Sequence, residues 1–493
     1  MPLLKQAIRL QHGRMDVDLK VMLQRNLRAI IEQGRPVTYG SACSGSEVAA
    51  YVLECLAEFW DETYQLHLDV DHLFACEIVD WKQTWILNHF APKMLFSDVM
   101  ELHKDTCKDV ISGDARPIPD VDIFMAGFEC DSVSGLNNSS KSARGCLMRG
   151  EGKTGSTGMA CLAYIEAKRP RIFALENVKN LGAGKAGNTD LDHLVAFAKA
   201  LGYAVKAFTI QALDYGCPQS RCRYYVIGVR VDASQQQRPW SFNSLSTALA
   251  SQTIEPLSWA EFQLIEDTDE VQYMKTDIAS RASIRLQKQT KDYEVDHMQA
   301  FQEQSLQYPP TMAPELKIAT ASLGRRMSEK VYLFEHFYAG EVVETVHDLN
   351  LSHPWSVIAK GEICPCVVST SRLWFLKARR EVSGPEALSL QGFDFHRQNT
   401  IKTNGERFNT SEIMDLSGNA FCGYVVASVL TSIFTGIEWA VTDASAAPAS
   451  AAPAPTQELD MEADHDQLEA SDDELESGSD GPQSDSDNSL LAC

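Results

Sequence analysis

No stretch of the chain approaches the roughly 20 uninterrupted apolar residues that a membrane-crossing helix needs. The N-terminus, MPLLKQAIRLQHGRMDVDLK, also lacks the continuous apolar core of a secretory leader, because charged and apolar residues interleave along it. Both absences predict a soluble, intracellular protein with no membrane partner. Basic residues are in short supply: 44 Lys and Arg stand against 67 Asp and Glu, a formal net charge of −23. Thirteen of the acidic residues lie between Thr456 and Cys493, which holds no Lys or Arg, and setting that segment aside leaves −10. A remainder of that sign attracts phosphate weakly unless its basic residues are concentrated on one face. No basic cluster reads as a nuclear import signal. The 13 cysteines are odd in number and scattered through apolar surroundings, which predicts reduced thiols. Cys364 and Cys366, and likewise Cys217 and Cys222, have no second pair at zinc-finger spacing, so no metal is expected.

What is present is an alternation. Residues 1–36 read as one or two short helices, since Val17–Ile31 carries apolar residues at helical spacing. From 37 to 235, short apolar runs (PVTYGSAC, HLFACEI, DIFMAG, RIFALE, AVKAFTI, YYVIGV) alternate with amphipathic stretches such as Val48–Trp60 and Leu191–Leu201. That alternation predicts a doubly wound, mostly parallel sheet. Regularity fades over 236–372 and returns over 373–440, where Leu373–Phe393 and Glu412–Phe434 look ordered. The tail, 441–493, opens ASAAPASAAPAP and turns acidic; it buries too little apolar surface to offset ordering entropy and is expected to be disordered. Ser471-Asp-Asp-Glu474 and Ser484-Asp-Ser-Asp487 within it resemble acidophilic kinase sites, and basic proteins are its expected partners.

Several clusters carry chemistry. Tyr39-Gly-Ser-Ala-Cys-Ser-Gly-Ser-Glu47 reads as a strand entering a small-residue turn and then a helix, which lets the backbone approach a nucleotide-like ligand. Glu77 ends the next strand, where a carboxylate can accept from ribose hydroxyls; Asp98 follows a third, within reach of an adenine amino group. Farther along stand Ala126-Gly-Phe-Glu-Cys-Asp-Ser-Val-Ser-Gly135, Leu175-Glu-Asn-Val-Lys-Asn180 and Ala212-Leu-Asp-Tyr-Gly-Cys-Pro-Gln-Ser-Arg-Cys-Arg223. Arg380-Glu-Val-Ser-Gly-Pro-Glu-Ala-Leu-Ser-Leu-Gln-Gly-Phe393 and Leu416-Ser-Gly-Asn-Ala-Phe421 complete the set.

In this order and spacing, the five later clusters resemble the DNA (cytosine-5) methyltransferases over roughly residues 37–435. That family places its nucleophile in Gly-Phe-Pro-Cys-Gln-Ser-Phe-Ser, its acid in Glu-Asn-Val and two arginines in Gln-x-Arg-x-Arg. The resemblance implies an α/β, class I methyltransferase fold: a Rossmann-like mixed seven-stranded sheet with a smaller target-recognition domain. It implies S-adenosylmethionine as cofactor, DNA as substrate and the nucleus as location, with tRNA and the cytoplasm as runners-up. Cys130 would attack carbon 6 of cytosine, making carbon 5 electron-rich, and Glu176 would hold a proton at ring nitrogen 3. Asn177 would steady the loop, while Arg221 and Arg223 would present planar donor forks to the base and the acid. The cofactor site implied is Cys43, Gly45, Ser46, Glu47, Glu77, Ile78, Asp98, Val99, Gly127, Asn419 and Ala420.

The chain departs from that pattern in places. Glu129 stands where the family has proline and Asp131 where it has glutamine; two carboxylates beside a thiol disfavour its ionisation. Glu47 and Val48 replace paired glycines, so negative charge is expected near the methionine moiety of the cofactor. Ile78 takes the place of an aromatic. Cys366 reads as a structural thiol. The carboxylates leave open a catalytically silent, regulatory paralogue. A tRNA methyltransferase of the same fold lacks support, because the Cys-Phe-Thr tripeptide familiar there is not found. A small-molecule methyltransferase would leave Gln219, Arg221 and Arg223 unexplained.

Overall fold

Seven apolar runs form one sheet in the computed structural model: β1 (Val37–Ala42), β2 (Val70–Cys76), β3 (Met94–Phe96), β4 (Ile123–Gly127), β5 (Ile172–Val178), β6 (Tyr203–Gln211) and β7 (Cys222–Arg230). The structure describes residues 2–437 except 131, 134–144, 186, 232–241, 287–292, 341–342 and 352–362. Asp131, residues 134–144 after Cys130, and the acidic tail with Ser471 and Ser484 therefore lie outside the described residues.

The strand order is β3-β2-β1-β4-β5-β7-β6. Strands β3 to β5 are parallel, and β7 runs antiparallel to both its neighbours. The central strands are near-continuous apolar runs, as strands covered on both faces must be; Ile123, Phe124, Met125 and Ala126 of β4 are all fully buried. Covering helices include α1 (Leu3–Arg14), α2 (Val17–Ile31), α3 (Val48–Tyr64), α4 (Asp80–His89), α5 (Gly152–Lys168) and α6 (Asp190–Ala200). The alternation predicted a doubly wound, mostly parallel sheet, and the mixed seven-stranded order found here is the class I methyltransferase architecture that the resemblance implied.

Register aligns the strand ends. Ala42 pairs with Ala126, Ala126 with Leu175, Gly127 with Glu176, and Cys76 with Phe96. Because β7 is antiparallel, its first residues return to the same edge, with Arg223 opposite Val178. The chain order reverses between β1 and β4, and the crevice outside the carboxyl ends of such a sheet is where ligands bind.

The N-terminal helices are tied down by polar groups as well as by apolar stripes. Gln11 Nε2 donates to the carbonyls of Tyr215 and Tyr424 (3.0 Å each), and Asn26 Nδ2 to those of Phe434 and Thr435. Those acceptors include residues of the last helix, Gly423–Gly436, which is buried all round and packs against α2 and α3. Together with Thr410–Asn419 it is long and apolar enough by composition to cross a bilayer, but its apolar surface lies inside the protein.

The described residues between 242 and 372 are more regular than their sequence suggests. Helices span Phe242–Ser251, Asp269–Leu286, Tyr293–Glu303 and Arg325–Phe337, and a small antiparallel sheet joins Val346–Asp348, Leu373–Phe375 and Arg380–Glu381. Several of these helices bury only a narrow stripe (His297, Ala300 and Phe301 in one), so polar residues dilute their periodicity. Around Gly384–Leu390, Ser383 and Glu386 form a capping box, and Arg380 grips the Glu386 carboxylate with both Nη atoms at 2.9 and 2.7 Å.

Candidate active site

After β1 the chain turns through residues 43–47 before α3. Cys43, Gly45 and Glu47 all take positive φ (52°, 52° and 57°), left-handed backbone that costs about 1–2 kcal/mol for a residue with a side chain. The turn is anchored to the end of β2: Ser44 Oγ donates to the Cys76 carbonyl and accepts from the Cys76 amide. Glu77 then joins two loops, one carboxylate oxygen accepting from Gly45 N at 2.9 Å and the other from Val79 N at 3.0 Å. At the end of β3, Asp98 accepts from Met100 N at 2.9 Å and so caps a short turn of helix.

These loops enclose a cavity of about 370 Å³. Of the predicted cofactor residues, Cys43, Gly45, Glu77, Ile78, Asp98, Val99, Gly127 and Asn419 line it. Of the predicted chemical residues, Cys130, Glu176, Arg221 and Arg223 line the same cavity. Gly127 leaves little room: a Cβ there would sit 3.0 Å from the Phe421 ring, so that ring would have to give, and 3.5 Å from Glu176 Oε2.

Four predicted residues do not reach the cavity wall. Ser46 is buried, with its carbonyl accepting from Trp85 Nε1. Glu47 corrects the expectation of negative charge beside a bound cofactor. Its carboxyl turns into the interior, where Ser41 Oγ donates to it at 2.8 Å and His72 Nε2 lies 3.6 Å away. Burial pushes that carboxyl up to about 7, although the hydroxyls of Ser41, Ser44 and Tyr39 draw it down. Ala420 is buried, and its carbonyl accepts from Arg221 Nη2 at 2.7 Å; Gly418 and Asn419 form the wall there. Asn177 is buried one layer back, where its Nδ2 donates to the Phe128 carbonyl at 2.9 Å.

The two arginines differ from each other. Arg221 gives its Nη atoms to the carbonyls of Val367, Gly418 and Ala420, so its fork braces the wall rather than facing a base. Arg223 faces the acid: its Nε lies 3.2 Å from Glu176 Oε1, though that oxygen has no aligned hydrogen-bond partner among the described residues. Burial raises the Glu176 pKa above its ordinary value, with the Arg223 and then the Arg221 charge opposing. The Cys130 thiol is pushed up to about 11, first by burial and then by Glu176, with Glu129 adding less and Arg223 and Arg221 opposing. The direction expected from Glu129 is right, but desolvation is the larger cause.

Sequence reasoning missed two groups. Lys82 of α4 lines the cavity and pairs with Asp415 at 2.7 Å, and nothing local marks it. Cys366, read as structural, lies 3.4 Å from Arg223 Nη2 and 3.8 Å from Arg221 Nη1. Only the fold brings it there, through a bridge between Gln219 and Cys364.

The strand order, with β7 antiparallel beside β6 at one end, is that of a class I methyltransferase, and Cys130 and Glu176 line the cavity at the carboxyl edge of its sheet. The chain belongs to the C-5 cytosine-specific DNA methylase family, whose model matches residues 70–435. The DNA (cytosine-5-)-methyltransferase DMT5 of Cryptococcus neoformans is 25 % identical over 426 residues, which is 80 % of this chain and 17 % of that protein. The type II methyltransferases M.NlaX of Neisseria lactamica and M.HhaI of Haemophilus parahaemolyticus are each 32 % identical, over 163 and 142 residues. Those matches cover 32 % and 28 % of this chain and 45 % and 40 % of theirs. The chain thus spans less than half the length of these curated relatives.

Proposed function

We propose that this chain transfers a methyl group from S-adenosylmethionine to carbon 5 of cytosine in DNA, through a transient bond between Cys130 and carbon 6. The observation that carries this reading is that Cys130, Glu176 and Arg223 share one cavity with Gly45, Glu77 and Asp98. The residues present fit the cofactor: Glu77 and Asp98 offer carboxylate oxygens to hydroxyl and amino groups, Ile78 and Val99 offer apolar surface, and the bare Gly45 backbone allows close approach. When bound, S-adenosylmethionine supplies an electrophilic methyl group on a sulfonium.

The chain's own residues would prepare the base. Addition of the Cys130 thiolate, formed by loss of the thiol proton to solvent, at carbon 6 would push an electron pair toward ring nitrogen 3, where Glu176 would supply a proton. Carbon 5 is then the nucleophile, and loss of its proton afterwards expels the thiolate. Asn177 would set the height of the nucleophile loop through the Phe128 carbonyl, and Arg221 would hold the opposite wall. A cytosine inside a duplex reaches such a cavity only when rotated out of the stack. Residues 236–372 are the proposed target-recognition region, and DNA as substrate makes the nucleus the proposed location. The family match favours DNA over tRNA and activity over silence. Labelled methyl transfer to mixed duplex DNA and tRNA, with Cys130→Ala as control, tests the reading. Label in DNA that disappears with the variant is expected; label in tRNA alone, or label that survives the variant, would overturn it.

A further inference from the structure

Arg223 is nearly buried and divides its guanidinium among three groups. Nη1 donates to the Cys222 carbonyl at 2.9 Å, Nη2 to Cys366 Sγ at 3.4 Å, and Nε faces Glu176 Oε1 at 3.2 Å without hydrogen-bond alignment. The sulfur is fixed in place from the backbone: Ser220 N donates to the Cys364 carbonyl, Cys364 N to the Pro218 carbonyl, and Val367 N to Gln219 Oε1.

We propose that Cys366 is a positioning residue for the acid Glu176, acting through Arg223: its sulfur serves as the counter-ion of the guanidinium and so leaves Glu176 able to keep its proton. The inference rests on the methyl-transfer reading only for its purpose, since the charge arrangement stands without it. A buried guanidinium is stabilised by an anion beside it. If Glu176 were the sole candidate, pairing would strip it of the proton that nitrogen 3 requires. With Cys366 as thiolate, the arginine charge is met on its Nη2 side and Glu176 can remain neutral on the Nε side. The groups facing Cys366 are Arg223 and Arg221 across the strand and Cys364 along its own segment, with Asp348 behind Cys364; Glu176 and Cys130 lie beyond Arg223. Burial would raise the Cys366 thiol, but the charges and hydrogen bonds of Arg223 and Arg221 outweigh it and bring it below its ordinary value, the opposite of Cys130.

The test follows the protonated-carboxyl stretch of Glu176 by infrared titration of the full-length protein, identified as the band that Glu176→Gln removes. Neither cofactor nor DNA is needed, so the result is independent of whether methyl transfer occurs. Cys366→Ser should move the Glu176 midpoint down by about one pH unit or more, a tenfold loss of the neutral form at fixed pH. Cys366→Ala should do the same, and Cys366→Asp should restore the wild-type midpoint. Thiolate absorbance, taken as wild type minus Cys366→Ser, should rise below the ordinary thiol range. An unmoved Glu176 midpoint in both neutral variants, or a Cys366 thiol that ionises only at or above its ordinary value, would overturn the proposal.

Discussion

Asn177 donates through its side-chain amide to the carbonyl of Phe128 at 2.9 Å, joining the strand that carries Glu176 to the loop that carries Cys130. Its own Oδ1 accepts from Val178 N at 2.8 Å, so the side chain is held at both ends. The pair ties the position of the Cys130 loop to the strand of Glu176.

Asn177→Ala should therefore damage rate more than binding. The Phe128 carbonyl would lose its partner in the interior, a loss of about 1–3 kcal/mol in stability. Single-turnover methylation should slow at least tenfold with little change in cofactor affinity, measured beside a denaturant titration. A changed affinity with an unchanged single-turnover rate would remove Asn177 from this role.

Glu47 gives the fold a pH dependence of known sign. Its pKa is about 7 in the folded chain and near the ordinary 4.5 once unfolded. Between those values the folded state holds more protons than the unfolded one, so stability falls as pH rises through that window and is level above it. Glu47→Gln keeps an acceptor for Ser41 and cannot ionise. It should stabilise the protein at pH 8 by up to a few kcal/mol, since each tenfold change in a proton-binding constant is worth about 1.4 kcal/mol. It should also flatten thermal stability between pH 5 and 7. Parallel melting curves for wild type and variant would count against a buried carboxyl at this position.

Gly127→Ala tests the closeness of the cavity wall. The added methyl would press on Phe421 and approach Glu176, so methyl transfer should fall at least tenfold while far-ultraviolet circular dichroism stays the same. Full activity in the variant would mean that Phe421 yields without consequence.

The Cys130 thiol of the free protein should be a poor nucleophile. With Cys130 raised from 9.0 to about 11, its thiolate fraction at pH 7 is about a hundredfold below that of an ordinary cysteine. Alkylation of the Cys130 peptide by iodoacetamide, read by mass spectrometry as a pH profile scaled to its own plateau, should reach half-maximum near pH 11. A midpoint near 9 or lower would show that desolvation does not govern this thiol.

Much of this arrangement was readable before folding. Apolar runs marked all the long strands, and motif order placed Cys130, Glu176 and Arg223 at the ends of β4 and β5 and the start of β7. The short β3 showed only through the loop after it, because three residues carry no period. What escaped depended on contacts distant in sequence. Lys82 meets Asp415 and Cys366 meets Arg223 only after the sheet has closed. Glu47 could have turned either way from its turn, and the Ser41 hydroxyl inside the protein decides the direction.

Duplex DNA carrying 5-fluorocytosine, incubated with the protein and S-adenosylmethionine, gives the most direct test, because fluorine at carbon 5 blocks the final proton loss and traps the covalent species. A denaturation-resistant adduct that maps to the Cys130 peptide and vanishes in Cys130→Ala is the predicted result. Cofactor and DNA both bound with no adduct, or an adduct on another residue, would contradict it.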